Sequence, residues 1–149
     1  MTENGYLIWV DPGAPSGWAC LSPLACHFES GELHLLALGE LLSRRLEAAA
    51  GIGWEQFTIR PGSGRYTGDT SAPETIGMLR WLAYKHSVPV IGEVQPGDRS
   101  LGEKHLAAVG WRKPGLEDAN VAAAHLLSYC IGSRQLPAVL MSKILGKLG

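Results

Sequence analysis

Short apolar runs separated by glycine and proline dominate the first third of the chain. Tyr6 to Val10 is an uninterrupted run of mostly β-favouring residues between Gly5 and Pro12-Gly13, which predicts a buried strand carrying Asp11 at its C-terminal end. Gly17 to Ser22 reads as the returning strand of a hairpin. Gly31 to Leu38 reads as a third strand, with Gly31 closing a polar turn. The chain is thus expected to open as an antiparallel meander.

The pattern then changes period. Leu38, Leu41, Leu42, Leu46 and Ala49 fall at helical spacing and stop at Gly51, predicting a helix over Gly39 to Ala50. Gly53 to Ile59 is a short strand candidate, weakened at its start by Gly51 and Gly53. Arg60 to Thr70 is loop chemistry, rich in glycine. Ser71 and Glu74 form a capping box around Pro73, so a helix is expected from Ala72 to His86. Val88 to Val94 reads as another short buried strand, Gln95 to Arg99 as a turn, and Leu101 to Val109 as a short helix ended by Gly110. From Glu117 onward, Ala119, Ala122, Ala123, Leu126, Leu127 and Cys130 make one apolar stripe, predicting a helix that packs on the sheet. Asp118 lies at the edge of that stripe in the first turn, where a carboxylate suits the helix dipole and can point inward without being buried. Strands followed by alternating helix and strand give an α/β pattern with an antiparallel edge on a partly parallel sheet.

Composition narrows the classes. A chain of 149 residues with 46% hydrophobic and 18% charged residues is expected to form one globular domain over residues 1–149, with 132–149 as a C-terminal tail, helical or mobile. No apolar run approaches the roughly 20 residues of a membrane span, and the first residues lack a signal-peptide pattern, so a cytoplasmic protein with no membrane partner is expected. A net charge of −1 advertises no polyanion partner, so a nucleic-acid surface has to come from local clustering. Cys20, Cys26 and Cys130 form no CxxC pair and read as buried thiols of a reducing compartment. Cys20, Cys26 and His27 lack the second ligand pair of a zinc site.

The acids carry the chemistry. Asp11, Glu55 and Asp118 each stand within or beside an apolar element, as does Glu93, although carboxylates are rarely buried without a cation or metal. Each also has a plain structural reading: Asp11 as a turn residue making an Asx-type bond, Glu55 as an outward-facing strand residue, Asp118 as a helix-capping acid. Spacing leaves both readings open.

The ordered segments IWVDPGAPSGWA, WEQFTIRPGSGR, ETIGMLRWLA followed by VPV, and EDANVAAAHLL resemble the RuvC-type Holliday-junction resolvases, especially the short bacteriophage-type RuvC-like endonucleases, over Tyr6 to Ile131. The resemblance implies an RNase H-like fold, with three antiparallel strands continued by parallel ones and helices on both faces. It implies Asp11, Glu55 and Asp118 as catalytic and metal-binding acids, two Mg²⁺ ions with Mn²⁺ as a substitute, branched DNA as substrate, DNA recombination as the setting and a homodimer as the working unit. Mg²⁺ prefers carboxylate oxygens and keeps several waters, and paired divalent ions suit phosphodiester hydrolysis. Such resolvases commonly carry a further Asp or His one helical turn before the last aspartate, where this chain has Gly115. Glu117, which projects about 100° from Asp118 on a helix, and Glu93 are the candidates to replace it, and a site of three acids alone is the other alternative.

Arg60, Arg65 and Tyr66 follow Glu55, and Trp111, Arg112 and Lys113 precede Asp118. These are candidate DNA contacts, cations for phosphates and an aromatic to stack at an opened junction. Lys143 and Lys147 read as surface charge. His125 lies two helical turns from Asp118, about 10 Å away, and reads as a packing or surface residue. Two other functions compete with the Mg²⁺-dependent endonuclease: a catalytically inactive nucleic-acid binding module on the same fold, and a nucleotide-binding ATPase-type fold, for which the chain is short.

Overall fold

The computed structural model of the protein describes residues 5–57 and 69–146. Five strands, β1 (Tyr6–Asp11), β2 (Ser16–Ser22), β3 (His27–Leu33), β4 (Ala49–Glu55) and β5 (Val90–Val94), form one sheet in the order β3-β2-β1-β4-β5. The three leading strands pair antiparallel, and β4 and β5 continue the sheet in parallel. Helices α1 (Leu35–Arg45), α2 (Ser71–Lys85), α3 (Ser100–His105), α4 (Glu117–Gly132) and α5 (Ala138–Leu145) surround it. None of the described helices is long and apolar enough to cross a membrane.

Side-chain alternation along β1 divides the apolar residues between two cores. Leu7 and Trp9 face α4, packing with Ala19, Leu21, Ala123, Leu126 and Leu127. Ile8 and Val10 face the other way, with Ile52 and Trp54 of the neighbouring β4 and against Leu38, Leu42 and Leu79 from α1 and α2. A strand buried on both faces has no polar alternation, which is why β1 reads as a continuous apolar run. Burying one large aliphatic side chain contributes about 1.5–3 kcal/mol, so both cores anchor β1 firmly.

Several boundaries differ from the sequence expectation. The third strand lies upstream, over His27–Leu33, with Gly31 inside it opposite Trp18 rather than closing a turn. Leu35 to Leu38, expected in that strand, is instead the first turn of α1, because burying Leu38, Leu42 and Leu46 together needs helical spacing. The helix accordingly ends at Arg45, and Ala49 and Ala50 belong to β4. β4 tolerates glycine because a Cβ at Gly53 would stand 2.5 Å from the indole of Trp9. Val88 lies outside β5; its amide bonds to the Ala83 carbonyl at the end of α2. The residue before α2 is Thr70, which makes no side-chain bond to the helix backbone; its hydroxyl meets the Glu74 carboxylate at 2.8 Å, and the expected Ser71 box does not form. α3 ends at His105, and the chain turns through Gly110 at φ 79°. Of the three cysteines only Cys20 and Cys130 are buried thiols, pushed up to about 12 by burial; Cys26 is exposed in the β2–β3 turn. Within 132–149, α5 places Leu140 and Ile144 in the core beside α4.

Candidate active site

Register brings the acids together. Asp11 pairs with Gly17, and Gly17 pairs with Glu32, so these three residues form one row across β1, β2 and β3 on the α4 face. Parallel pairing of Val10 with Trp54 sets Asp11 and Glu55 side by side at the ends of β1 and β4. The middle of the row is bare backbone, and α4 fills it: a Cβ at Gly17 would come within 1.8 Å of the Asp118 carbonyl oxygen. Asp118 therefore stands over the row between Asp11 and Glu32.

Three local devices hold this geometry. The turn after Asp11 is closed by the Ser16 hydroxyl, which accepts from the Gly13 amide at 3.1 Å and donates to the Gly13 carbonyl at 2.9 Å. The Asp118 amide at the start of α4 donates to Glu32 Oε1 at 3.0 Å, which satisfies one unpaired N–H of the first turn from a different element. Asn120 clamps the preceding loop, its Oδ1 accepting from the Lys113 amide at 2.8 Å and its Nδ2 donating to the Lys113 carbonyl at 2.9 Å.

Glu55 has two partners on one oxygen. Arg99 Nη1 lies 3.0 Å and His125 Nε2 2.8 Å from Glu55 Oε2, with His125 stacked on the Trp9 indole at a centroid distance of 5.6 Å. An ionised carboxylate only accepts, so neutral His125 presents its Nε2–H to Glu55. Burial pushes the His125 imidazole down, against the pull of Glu55.

Repulsion marks the rest of the site. Burial, then the charges of Glu55 and Asp118, raise Asp11 to about 7; Arg99 opposes them and Glu32 adds to them. Asp118 is raised by burial first, then by Glu32 and Glu117. Carboxylates crowded in this way favour a cation among them.

The residues expected from sequence divide accordingly. Asp11, Glu55 and Asp118 share one face at one end of the sheet. Glu117 is exposed and turned into a cleft of about 250 Å³ with Glu103 and Arg112. Glu93 is the clear correction: strand alternation turns it to the opposite face, where it pairs with Arg80 of α2 at 3.2 Å. Gly115 precedes α4 and adopts φ 81°, in the left-handed region where an acid would be strained. Trp111 is buried against Phe28, ring on ring at 4.2 Å, and presents no aromatic surface to DNA. Arg112 is exposed, whereas the Lys113 ammonium is held on the Ser30 carbonyl of β3. Arg60, Arg65, Tyr66 and Lys147 lie outside the described residues; Lys143 is exposed on α5.

Glu32, Arg99 and His125 join the site without having been expected. His125 is close to Glu55 across the packing of α4 on the sheet, although it is distant from Asp118 along its own helix. Nothing local marks Arg99. Glu32 became identifiable only once β3 was placed in register.

The donor set suits a hard divalent cation: four carboxylates, no thiolate, and an Asp11 raised by burial first and then by its acidic neighbours. Among the described residues no three His, Cys, Asp or Glu side chains stand close enough to share one ion.

No family model matches the chain, and no curated protein matches its sequence. Among solved structures it is similar to Thermus thermophilus RuvC in complex with a Holliday junction substrate, with a TM-score of 0.62 and 13% identity over 87% of this chain and 95% of that one. A second Thermus thermophilus RuvC structure gives a TM-score of 0.54 and 14% identity over 87% and 97%. At such identities the likeness is one of architecture, and it assigns the five-stranded sheet and its helices to the RNase H-like α/β fold.

Proposed function

We propose that the protein is a divalent-metal-dependent endonuclease acting on branched DNA, with Holliday junctions as the leading substrate. The observation that carries this reading is that Asp11, Glu55 and Asp118 share one face at one end of the sheet. The resemblance of their motifs to junction resolvases and the architecture shared with RuvC, solved on a Holliday junction, support it. Asp11, Glu55 and Asp118 would hold the ions, with Mg²⁺ preferred and Mn²⁺ a substitute. Bound there, divalent ions supply a nucleophilic water and offset charge on the phosphate. Asp11, held by the locked turn, is the acid most relieved by an ion. Asp118 is fixed by its backbone on Gly17, and Glu55 is oriented by His125. Arg112 and Lys113, both exposed just before α4, are the described candidates for DNA phosphates, joined in this reading by Arg60, Arg65 and Tyr66. A two-fold dimer follows from the need to cut two strands of a symmetric substrate.

The test is cleavage of a synthetic four-way junction, alongside fork, flap and linear duplexes, in a Mg²⁺ titration. Asp11→Asn should lower the cleavage rate by on the order of 100-fold or more, the scale for losing a main electrostatic element. One observation favours a second reading: Glu55 already has two protein partners, Arg99 and His125. Tight junction binding with no cleavage in Mg²⁺ or Mn²⁺ would make the chain a binding module.

A further inference from the structure

Arg99 is, among the described residues, the one lysine or arginine in an ion pair with an acid of the site. Arg45 pairs with Glu29 and Arg80 with Glu93, both away from it. Its guanidinium sits at the rim, 28% exposed, with Nη1 on Glu55 and Nε on Glu103 four residues along. The Glu103 contact is a surface pair that adds little. The Glu55 contact is partly buried and places a positive charge where an ion bound by Glu55 would also lie. Two cations on one carboxylate repel, so ion binding weakens the hold of Glu55 on Arg99. A released guanidinium at the rim of an acid pocket faces what lies across it, and in a nuclease that is a phosphate, which arginine binds through its planar fork.

We propose that Arg99 is an exchange residue: it neutralises Glu55 in the metal-free protein, yields Glu55 to the divalent ion, and passes to a phosphate of the DNA next to the cleaved bond. The inference rests on the nuclease reading of the acids. One carboxylate–guanidinium pair is broken, and one carboxylate–metal contact and one guanidinium–phosphate contact are formed, so charge stays paired throughout.

The experiment compares wild type with Arg99→Gln and Arg99→Lys, each checked for folding by circular dichroism. Calorimetric Mn²⁺ titration without DNA should show Arg99→Gln binding the ion about fivefold more tightly, the factor a partly exposed ion pair is worth. Junction affinity is then measured against salt, once in EDTA and once in Ca²⁺. In EDTA the slopes of wild type and Arg99→Gln should coincide, because Arg99 is still on Glu55. In Ca²⁺ they should part by about 0.9, the loss of one phosphate contact, while Arg99→Lys keeps the wild-type slope. Equal ion affinities, a slope difference already present in EDTA, or no difference in Ca²⁺ each overturns the exchange. Absence of Mn²⁺ binding by the wild type overturns the metal reading itself and the exchange with it, an outcome distinct from the other three.

Discussion

The Asp118 carbonyl oxygen rests on Gly17, at a place where even a Cβ would stand 1.8 Å away. This close approach limits how far α4 can rise from or settle onto the sheet, and with it the position of the Asp118 carboxylate relative to Asp11. Gly17→Ala must push the first turn of α4 outward. Overpacking of a fitted contact costs about 1–3 kcal/mol, and a rigid backbone partner puts this case at the upper end. Urea unfolding should show that loss, and junction cleavage should fall further than the loss of folded protein explains. Equal stability and activity would mean that α4 shifts freely.

Asp11 makes a pH prediction with a definite sign. Its folded value is raised from 3.8 to about 7, so between these values the folded protein holds a proton that the unfolded chain has lost. The contribution to stability is full below about pH 4 and is lost as pH rises through 7. At ~1.4 kcal/mol per unit, wild type should lose roughly 2–3 kcal/mol relative to Asp11→Asn between pH 5 and pH 8 in metal-free buffer. Mg²⁺ at pH 8 should return most of the difference to wild type and little to Asp11→Asn. Parallel stability curves for the two proteins would show that neither burial nor the neighbouring acids raise Asp11.

The limits of the sequence are physical and can be seen at particular residues. β1, α2 and α4 were legible because their burial is periodic and their ends carry turn or capping chemistry: Pro12-Gly13, Pro73 and the acids that begin α4. The end of the third strand is ambiguous in sequence because Leu35 to Leu38 serves either period over four residues, and only packing against α2 decides for helix. The same holds for the site. Asp11, Glu55 and Asp118 stand out as acids in apolar settings. Glu32, Arg99 and His125 enter through contacts with residues 86, 44 and 70 positions away, which no local pattern encodes. The Gly115 departure has a local cause, since φ 81° places that residue in a turn ahead of the helix.

His125 holds Glu55 in place from inside the core, with its side chain 1% exposed. His125→Ala removes both the donor to a carboxylate and the ring stacked on Trp9. Hydrogen bonds to charged groups contribute about 1.5–3 kcal/mol, and the lost packing adds to that, so thermal unfolding should show a loss of about 2–4 kcal/mol. His125→Gln keeps an N–H donor and should recover part of the stability and more of the metal affinity. If alanine and glutamine behave alike, His125 acts through packing alone.

Asn120 ties the loop ahead of α4 to the helix through both backbone groups of Lys113, and Lys113 in turn ties that loop to β3 through Ser30. Asn120 is only 8% exposed, and Asn120→Ala takes the side-chain partner from the Lys113 amide while leaving the Lys113 carbonyl only the Leu116 amide, a loss of about 1–3 kcal/mol before relaxation. Asn120→Asp is the sharper test, because it keeps the acceptor for the Lys113 amide but sets a carboxylate oxygen against the Lys113 carbonyl. Amide hydrogen exchange at Lys113 should accelerate in Asn120→Ala, whereas in Asn120→Asp it should stay protected while overall stability falls. Because this loop leads directly into Glu117 and Asp118, cleavage should decline in both variants in proportion to the loosening. Unchanged exchange at Lys113 in Asn120→Ala would remove Asn120 from the devices that position Asp118 and leave Glu32 and Gly17 to hold it.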